Sequence, residues 1–126
     1  MSPEAWEGLQ YFKRAELLCK CCGSEDMDPT FMFKLDLARH AFGKPIRVTS
    51  GWRCKKHNME ISGSPTSSHL MGRAADLDDK KDPIYRGQLQ RALLAAGFTQ
   101  FEFSRDGHLH VMNDTTKPSP FVGVEP

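Results

Sequence analysis

Two stretches of the chain repeat apolar residues at helical spacing, with polar residues between them. An Asp-Pro pair precedes each stretch and a glycine follows it. That order supplies a capping side chain, a proline at the first helical position and a C-terminal glycine. The pattern therefore predicts amphipathic helices over residues 29–42 and 83–96.

Four shorter runs alternate apolar and polar residues, which is typical of strands with one buried face. They cover residues 45–50, 74–78, 101–104 and 108–111. Arg-Asp-Gly separates the last two runs, and Asp-Gly between alternating runs indicates a tight turn. We therefore expect these two runs to form a β-hairpin.

Two segments lack a regular period. Residues 54–68 contain Gly63, Pro65 and several serines, which predicts a surface loop. Loops of this length within a compact domain are often functional. Residues 114–126 contain three prolines, so we expect this tail to lie extended on the surface.

Length and charge narrow the classes of protein. The 126 residues suffice for a single domain, 1–126, and 39% hydrophobic with 26% charged residues describe a globular chain. Because 17 basic residues are balanced by 16 acidic ones, we expect no nucleic-acid partner. No run approaches the roughly 18 apolar residues of a membrane helix. Residues 1–7 lack the basic and apolar regions of a secretory signal, so we expect neither membrane insertion nor signal-directed export.

Four cysteines stand at positions 19, 21, 22 and 54. Three of them fall within four residues and cannot all bridge one another, and without a secretory signal we expect reduced thiols. Together with His57 they offer a second, structural metal site, but C-x-C-C is not a standard zinc spacing. Buried or half-buried thiols are the preferred interpretation.

Histidines and carboxylates gather in two short stretches. His69 and Asp76 flank a turn at Gly72, so the reversal of the chain brings them towards each other. His108 and His110 are two residues apart in a predicted strand, so both imidazoles project from one face. We interpret the cluster as a zinc site made of His69, Asp76 and one of the paired histidines. Two imidazoles and one carboxylate leave a fourth position for water, as in catalytic zinc sites.

A family resemblance rests on three strings. They read T-S-G-W-R-C at 49–54, S-S-H-L-M-G-R-A-A-D at 67–76 and H-V at 110–111. Together they resemble the zinc D-alanyl-D-alanine carboxypeptidase family, also called the LAS or hedgehog-like metallopeptidases, and most of all its small phage-type branch. The resemblance extends from about Phe12 to Pro118.

The resemblance implies roles for particular residues. The family's metal ligands fall on His69, Asp76 and His110, the last because Val111 follows it. Arg53 matches an arginine that faces the substrate in relatives, where its guanidinium would hold a peptide carboxylate or stabilise an oxyanion. The simpler alternative for Arg53 is an ion pair on the surface at a strand end.

The general base is open between two carboxylates. Many relatives have an acidic residue three positions before the last ligand, but here that position is Gly107. Asp106 precedes it in the turn, where it is also an ordinary turn residue. A three-residue hairpin loop with a left-handed Gly107 would place Glu102 opposite His110. His108 resembles a family histidine that faces the site without binding metal, and we expect it to stabilise the transition state.

A second departure lies beyond the last ligand. Phage-type relatives have an acidic residue two positions after it, where this chain has Met112. Asp114 is the candidate replacement. This departure questions which residue supports His110 by hydrogen bonding, but it does not question His110 as a metal ligand.

The resemblance, combined with the pattern of elements, implies a fold and a function. We expect a small α+β domain with helices packed on one side of an antiparallel sheet, whose open face carries the zinc. The implied activity is hydrolysis of a peptide bond in peptidoglycan stem peptides. The enzyme would be a D-Ala-D-Ala carboxypeptidase or an L-Ala-D-Glu or cross-link endopeptidase. Small size and no signal peptide are typical of a phage endolysin released by a holin, or of a wall hydrolase carried by a virion.

Two other functions stay open. Because Gly107 lacks a carboxylate, the chain is alternatively a non-catalytic, zinc-containing module that binds wall peptides. A cytosolic peptidase acting on free D-amino-acid dipeptides is the third possibility. No segment resembles a dimer seam, so we expect a monomer.

Overall fold

The computed structural model describes residues 1–125. Within them, short helices and turns surround two long helices and one sheet. The helices are α1 (Pro3–Glu7), a 3₁₀ turn (Arg14–Leu17), α2 (Pro29–Phe42), α3 (Lys55–Glu60) and α4 (Pro83–Ala95). The strands are β1 (Val48–Ser50), β2 (Ala74–Asp78), β3 (Gln100–Phe103), β4 (His108–Met112) and β5 (Phe121–Val124).

Local capping explains where the two long helices begin. The Asp28 carboxylate accepts a hydrogen bond from the Phe31 amide at 3.0 Å, and Asp82 accepts from Ile84 at 2.9 Å. Gly43 ends α2 in the left-handed conformation, with φ of 73°. The helices predicted over 29–42 and 83–96 are confirmed, the second to within one residue.

The two faces of the sheet carry different chemistry, as the period of two along each strand requires. On one face, side chains from the strands join residues of α2 and α4 in the hydrophobic core; the strand residues are Ala75, Leu77, Phe101, Leu109 and Val111. The opposite face carries Asp76, Glu102, His108 and His110. The predicted α+β fold, with the long helices on one side of the sheet, is confirmed.

The hairpin forms in the register that its turn dictates. Gly107 has φ of 93°, a conformation that an L-residue rarely adopts, and it closes the loop between β3 and β4. Ser104 then donates its amide to the carbonyl of His108, and Glu102 lies opposite His110. The predicted register is therefore confirmed.

The sheet is mixed, which corrects the prediction of a purely antiparallel one. Its strand order is β1-β2-β4-β3-β5, and β5 runs parallel to β3. The tail predicted to lie extended on the surface is largely exposed, and its residues 121–124 are extended, but they also form the edge strand of the sheet, which the sequence did not predict. Pro126, the last residue of that predicted tail, lies outside the described residues.

Two other boundaries differ from the prediction. Residues 54–68 are not entirely loop, because α3 occupies residues 55–60. The Sγ atom of Cys54 caps α3 by accepting the amide of His57 at 3.4 Å, and a helix of six residues is too short to show a period. The first strand begins at Val48 and not at Pro45, a residue that has no amide to pair. Within residues 1–125, the longest helices fall short of the length and apolarity that crossing a bilayer would need.

Candidate metal centre

Three buried side chains meet on the open face of the sheet. Asp76 and His110 are paired across β2 and β4, and His69 reaches them from the loop before β2. The Asp76 Oδ1 atom lies 3.3 Å from His69 Nε2 and 2.9 Å from His110 Nδ1. One ligand atom from each residue lies within 4.8 Å of the other two. These separations fit tetrahedral zinc, where bonds of about 2.0–2.2 Å place N and O ligands about 3.4 Å apart.

The hydrogen bonding of His69 fixes which nitrogen is free. Its Nδ1 atom lies 2.8 Å from the carbonyl oxygen of Gly51. A carbonyl only accepts, so Nδ1 carries the proton and Nε2 presents a lone pair. Gly51 itself packs against the backbone of Leu17, in a space that any Cβ would overlap. The neighbouring chain therefore holds the carbonyl that orients His69.

Nε2 of His69 needs a cation as its partner. It is buried and has no hydrogen-bond partner anywhere in residues 1–125, yet it faces the Asp76 carboxylate. Burial lowers the pKa of His69 and outweighs the opposite effect of Asp76, so a second proton on the ring is disfavoured. Two acceptors in contact in a buried place repel each other unless a positive charge lies between them. The site therefore fits a metal ion.

Asp76 is held as a carboxylate from both sides. Burial alone would raise its pKa, but the hydrogen bond with His110 and the adjacent His69 ring hold the pKa of Asp76 well below its ordinary value. The other oxygen, Oδ2, accepts from Arg53 Nη2 at 3.2 Å. Only 14% of the Arg53 side chain is exposed, so the surface ion pair considered as its alternative role is in fact a largely buried pair with Asp76.

His108 lies beside these three residues and has its own partner. Its Nε2 atom lies 3.0 Å from Glu125 Oε2 and 3.9 Å from Asp76 Oδ1. Asp76, His108 and Glu125 form a second group of possible ligands that is less buried than the first. A neighbouring carboxylate orients the imidazole of His108 towards the site.

One cleft of about 550 Å³ brings the predicted site residues together. All of them line it, namely Arg53, His69, Asp76, Glu102, Asp106, His108 and His110. Glu102 is half-buried in β3, whereas Asp106 is exposed at the hairpin turn, where its amide donates to Ser104 Oγ at 2.9 Å. Both carboxylates stay candidates for the general base.

Glu125 also lines the cleft, and sequence reasoning missed it. The run Phe-Val-Gly-Val at residues 121–124 was the available signal for a strand, but nearby prolines obscured it. The amide of Glu125 donates to the carbonyl of Phe103 at 2.8 Å, and this bond continues the parallel pairing to the edge of the site.

Asp114 does not take over the support of His110 that relatives obtain from an acidic residue at the position of Met112. It is buried, and its carboxylate accepts from Ser68 Oγ at 2.7 Å and from Thr116 Oγ1 at 2.6 Å. Burial raises its pKa, but these hydrogen bonds and the nearby Lys117 lower it further below the ordinary value. Asp114 therefore fixes the residue before His69, while Asp76 is the hydrogen-bond partner of His110.

Residues 10–112 match the family model described as peptidase M15. The chain belongs to the peptidase M15 family. The matched range contains all seven of the site residues predicted from the sequence, whereas Glu125 lies beyond it. The family resemblance seen in the sequence strings is thereby confirmed, and its phage-type branch stays a prediction.

This M15 family member is also similar to a characterised peptidase over part of its length. Over 47 residues it is 47% identical to the zinc D-Ala-D-Ala carboxypeptidase of Streptomyces albus G. The alignment covers 36% of this chain and 18% of that relative. The chain thus spans less than a fifth of the relative's length.

Proposed function

We propose that this chain is a zinc-dependent peptidase that hydrolyses a peptide bond in the stem peptides of bacterial peptidoglycan. One observation carries the proposal. His69 Nε2 and Asp76 Oδ1 face each other at 3.3 Å without a proton to share, and both line an open cleft. A zinc ion held by these atoms and His110 would supply the Lewis acidity that polarises the scissile carbonyl.

The remaining groups of the cleft provide proton transfer and charge stabilisation. Glu102 or Asp106 accepts the proton of the attacking water and returns it to the amine when the C–N bond breaks. His108, oriented by Glu125, donates a hydrogen bond to the oxygen that becomes negative. Arg53 fixes the orientation of Asp76 through Oδ2. Its positive charge also stabilises the oxygen of the scissile carbonyl as that oxygen becomes negative.

The substrate is inferred from the relative and from the sequence resemblance. The relative's name specifies D-Ala-D-Ala, and the chain resembles the phage-type branch of its family. We infer a D-Ala-D-Ala bond, an L-Ala-D-Glu bond or a cross-link as the cleaved bond. We also infer that the protein acts on the wall as an endolysin released by a holin, or from a virion.

Incubation with purified muropeptides, followed by mass spectrometry of the products, tests the proposal. Carboxypeptidase activity releases free D-alanine, cleavage of L-Ala-D-Glu shortens the stem peptide, and cleavage of a cross-link converts dimers to monomers. A chelator should stop the reaction and added zinc should restore it. His69→Ala is the matched variant, and we expect it to lose zinc and activity together.

A binding module is the second candidate, favoured by Gly107 at the position where relatives carry an acid. Such a module would retain muropeptides in a pull-down and leave them uncleaved with zinc bound. Cleavage of free D-amino-acid dipeptides with no action on intact sacculi would instead indicate a cytosolic peptidase. Either result would overturn the proposed function.

A further inference from the structure

The cysteine cluster brings together thiols that are far apart in the sequence. Cys19, Cys21 and Cys22 follow the 3₁₀ turn, and Cys54 comes after β1. The Sγ atom of Cys54 lies 3.7 Å from that of Cys19 and 4.0 Å from that of Cys21. Cys22 forms a group with Cys19 and Cys54 whose Sγ atoms all lie within 4.8 Å of one another. All four thiols are free. Cys19 is buried and Cys54 half-buried, as predicted, whereas Cys21 and Cys22 are exposed.

These separations match a thiolate zinc centre. Zn–S bonds are about 2.3 Å, so the sulfurs of a tetrahedral site lie about 3.8 Å apart. A disulfide needs its sulfurs at about 2.05 Å. The distances of 3.7 and 4.0 Å suit ligands around one ion and are too long for a disulfide.

The local backbone has the form of a metal-binding turn. Cys19 and Cys22 are separated by two residues, which is a usual spacing for a pair of zinc ligands. Gly23 follows with φ of 68°, and its amide donates to the Cys19 carbonyl at 2.9 Å. The Cys19 amide donates in turn to the carbonyl of Ser24 at 2.7 Å. The objection to C-x-C-C spacing disappears, because Cys19 and Cys22 are the pair that the turn presents.

Backbone amides point at two of the sulfurs. The Cys54 amide donates to Cys19 Sγ at 3.5 Å, and the His57 amide donates to Cys54 Sγ at 3.4 Å. Hydrogen bonds to sulfur stabilise a thiolate and orient it as a ligand. The imidazole of His57 is not needed as a ligand, in contrast to the site considered from the sequence.

We propose that Cys19, Cys22 and Cys54 hold a structural zinc ion. Cys21, whose Sγ atom lies outside this group but 4.0 Å from that of Cys54, moves in as the fourth ligand. Each thiol loses its proton on binding, and no oxidation or reduction takes place. Four sulfur ligands fill the tetrahedron, which is typical of a structural and not a catalytic zinc. The ion joins the segment after the 3₁₀ turn to the residue that follows Arg53. This proposal does not depend on the proposed function.

Zinc stoichiometry in variants tests the proposal. We expect two zinc ions per chain in the wild type, one in Cys22→Ser, and one in the double variant His69→Ala/His110→Ala. Ser24→Ala is the matched control and should keep two, because only the backbone of Ser24 takes part in the turn. Cobalt substituted into the double variant should show thiolate-to-cobalt charge-transfer absorption, which the further change Cys22→Ser should abolish.

A measurement on the wild type covers the case in which a variant fails to fold. A thiol-specific mercurial should release one equivalent of zinc as it blocks the four cysteines, with the second equivalent released only by a chelator. Release of no zinc by the mercurial would overturn the proposal. So would a folded His69→Ala/His110→Ala variant without zinc, or a Cys19–Cys54 disulfide in protein alkylated during anaerobic purification.

Discussion

Glu102 lies directly opposite His110 across the antiparallel pair of β3 and β4, on the face of the sheet that carries the candidate metal ligands Asp76 and His110. Asp106 lies at the exposed turn of the same hairpin. We therefore expect Glu102→Gln to lower kcat by about 10²- to 10⁴-fold, the usual contribution of a positioned general base. Asp106→Asn should have a smaller effect. Steady-state kinetics on the cleaved muropeptide measures both.

Metal analysis is the control for these two variants. Neither carboxylate belongs to the buried ligand group, so zinc should stay bound while activity falls. Full activity in the double variant Glu102→Gln/Asp106→Asn would show that neither residue is the base, and attention would pass to Glu125.

Arg53 should raise the affinity of the site for zinc by orienting Asp76. Its Nη2 atom donates to the Asp76 oxygen that does not face the histidines, and the pair is largely buried. Removal of a partner that orients a metal ligand typically costs about 10- to 100-fold in affinity. We expect this loss of zinc affinity in Arg53→Ala, measured by competition with a chromophoric chelator.

Arg53→Lys is the conservative comparison. Lysine restores the charge but not the planar donors that also reach Ser50 Oγ. Its zinc affinity should lie between that of the wild type and that of Arg53→Ala. Wild-type zinc affinity in Arg53→Ala would show that the pair with Asp76 does not support the site.

Glu125 should influence the reaction through His108. The Glu125 carboxylate lies 3.0 Å from His108 Nε2 and holds the ring towards the cleft. We expect Glu125→Ala to lower kcat in steady-state kinetics on the cleaved muropeptide, because the His108 ring is then no longer held towards the cleft. Glu125→Gln keeps an oxygen acceptor and should lower kcat less. KM and zinc content should change little. An unaltered kcat in Glu125→Ala would show that Glu125 only closes the edge of the sheet.

Glu25 makes a separate prediction about stability. Its carboxylate is 3% exposed and accepts from the Met27 amide and the Trp6 ring at 3.0 and 3.3 Å. Burial raises its pKa, but the Met27 amide and the other donors lower it further, so the pKa lies below its ordinary value. Hydrogen bonds to a charged group contribute about 1.5–3 kcal/mol, which Glu25→Gln should remove at neutral pH.

The pH dependence has a fixed sign. Because the folded state binds the Glu25 proton less readily than the unfolded chain does, the stabilisation is present above the unfolded pKa, about 4.3. It is lost as the pH falls through the lower folded pKa. Denaturant unfolding should therefore show the wild type and Glu25→Gln converging in acid. The exposed residue Glu7, changed to Gln, is the control and should alter stability by less than about 0.5 kcal/mol.

The parts of the fold that follow from local chemistry were predictable from the sequence. Asp-Pro and glycine set the ends of α2, and Gly107 set the register that faces Glu102 with His110. The period of two placed His108 and His110 on one face. Each of these features depends on residues close together in the chain.

The features that escaped prediction depend on distant pairing. The parallel partner of β3 comes from a proline-rich segment with a weak strand pattern, so Glu125 could not be assigned to the site. The link between Asp114 and Ser68 spans the fold and has no local signature. The cysteines showed the same limitation, because the role of Cys22 becomes visible only when Cys54 approaches it.

The contact of Gly51 with Leu17 should give residues outside the cleft an influence on metal affinity. The Gly51 carbonyl selects the tautomer of His69, and the backbone of Leu17 holds that carbonyl in place. The side chain of Leu17 is buried in the core. A cavity-forming change such as Leu17→Ala should therefore weaken zinc retention before it unfolds the chain. In a survey of random variants scored by activity alone, such a position would look like a catalytic residue, although it only holds the backbone next to the site.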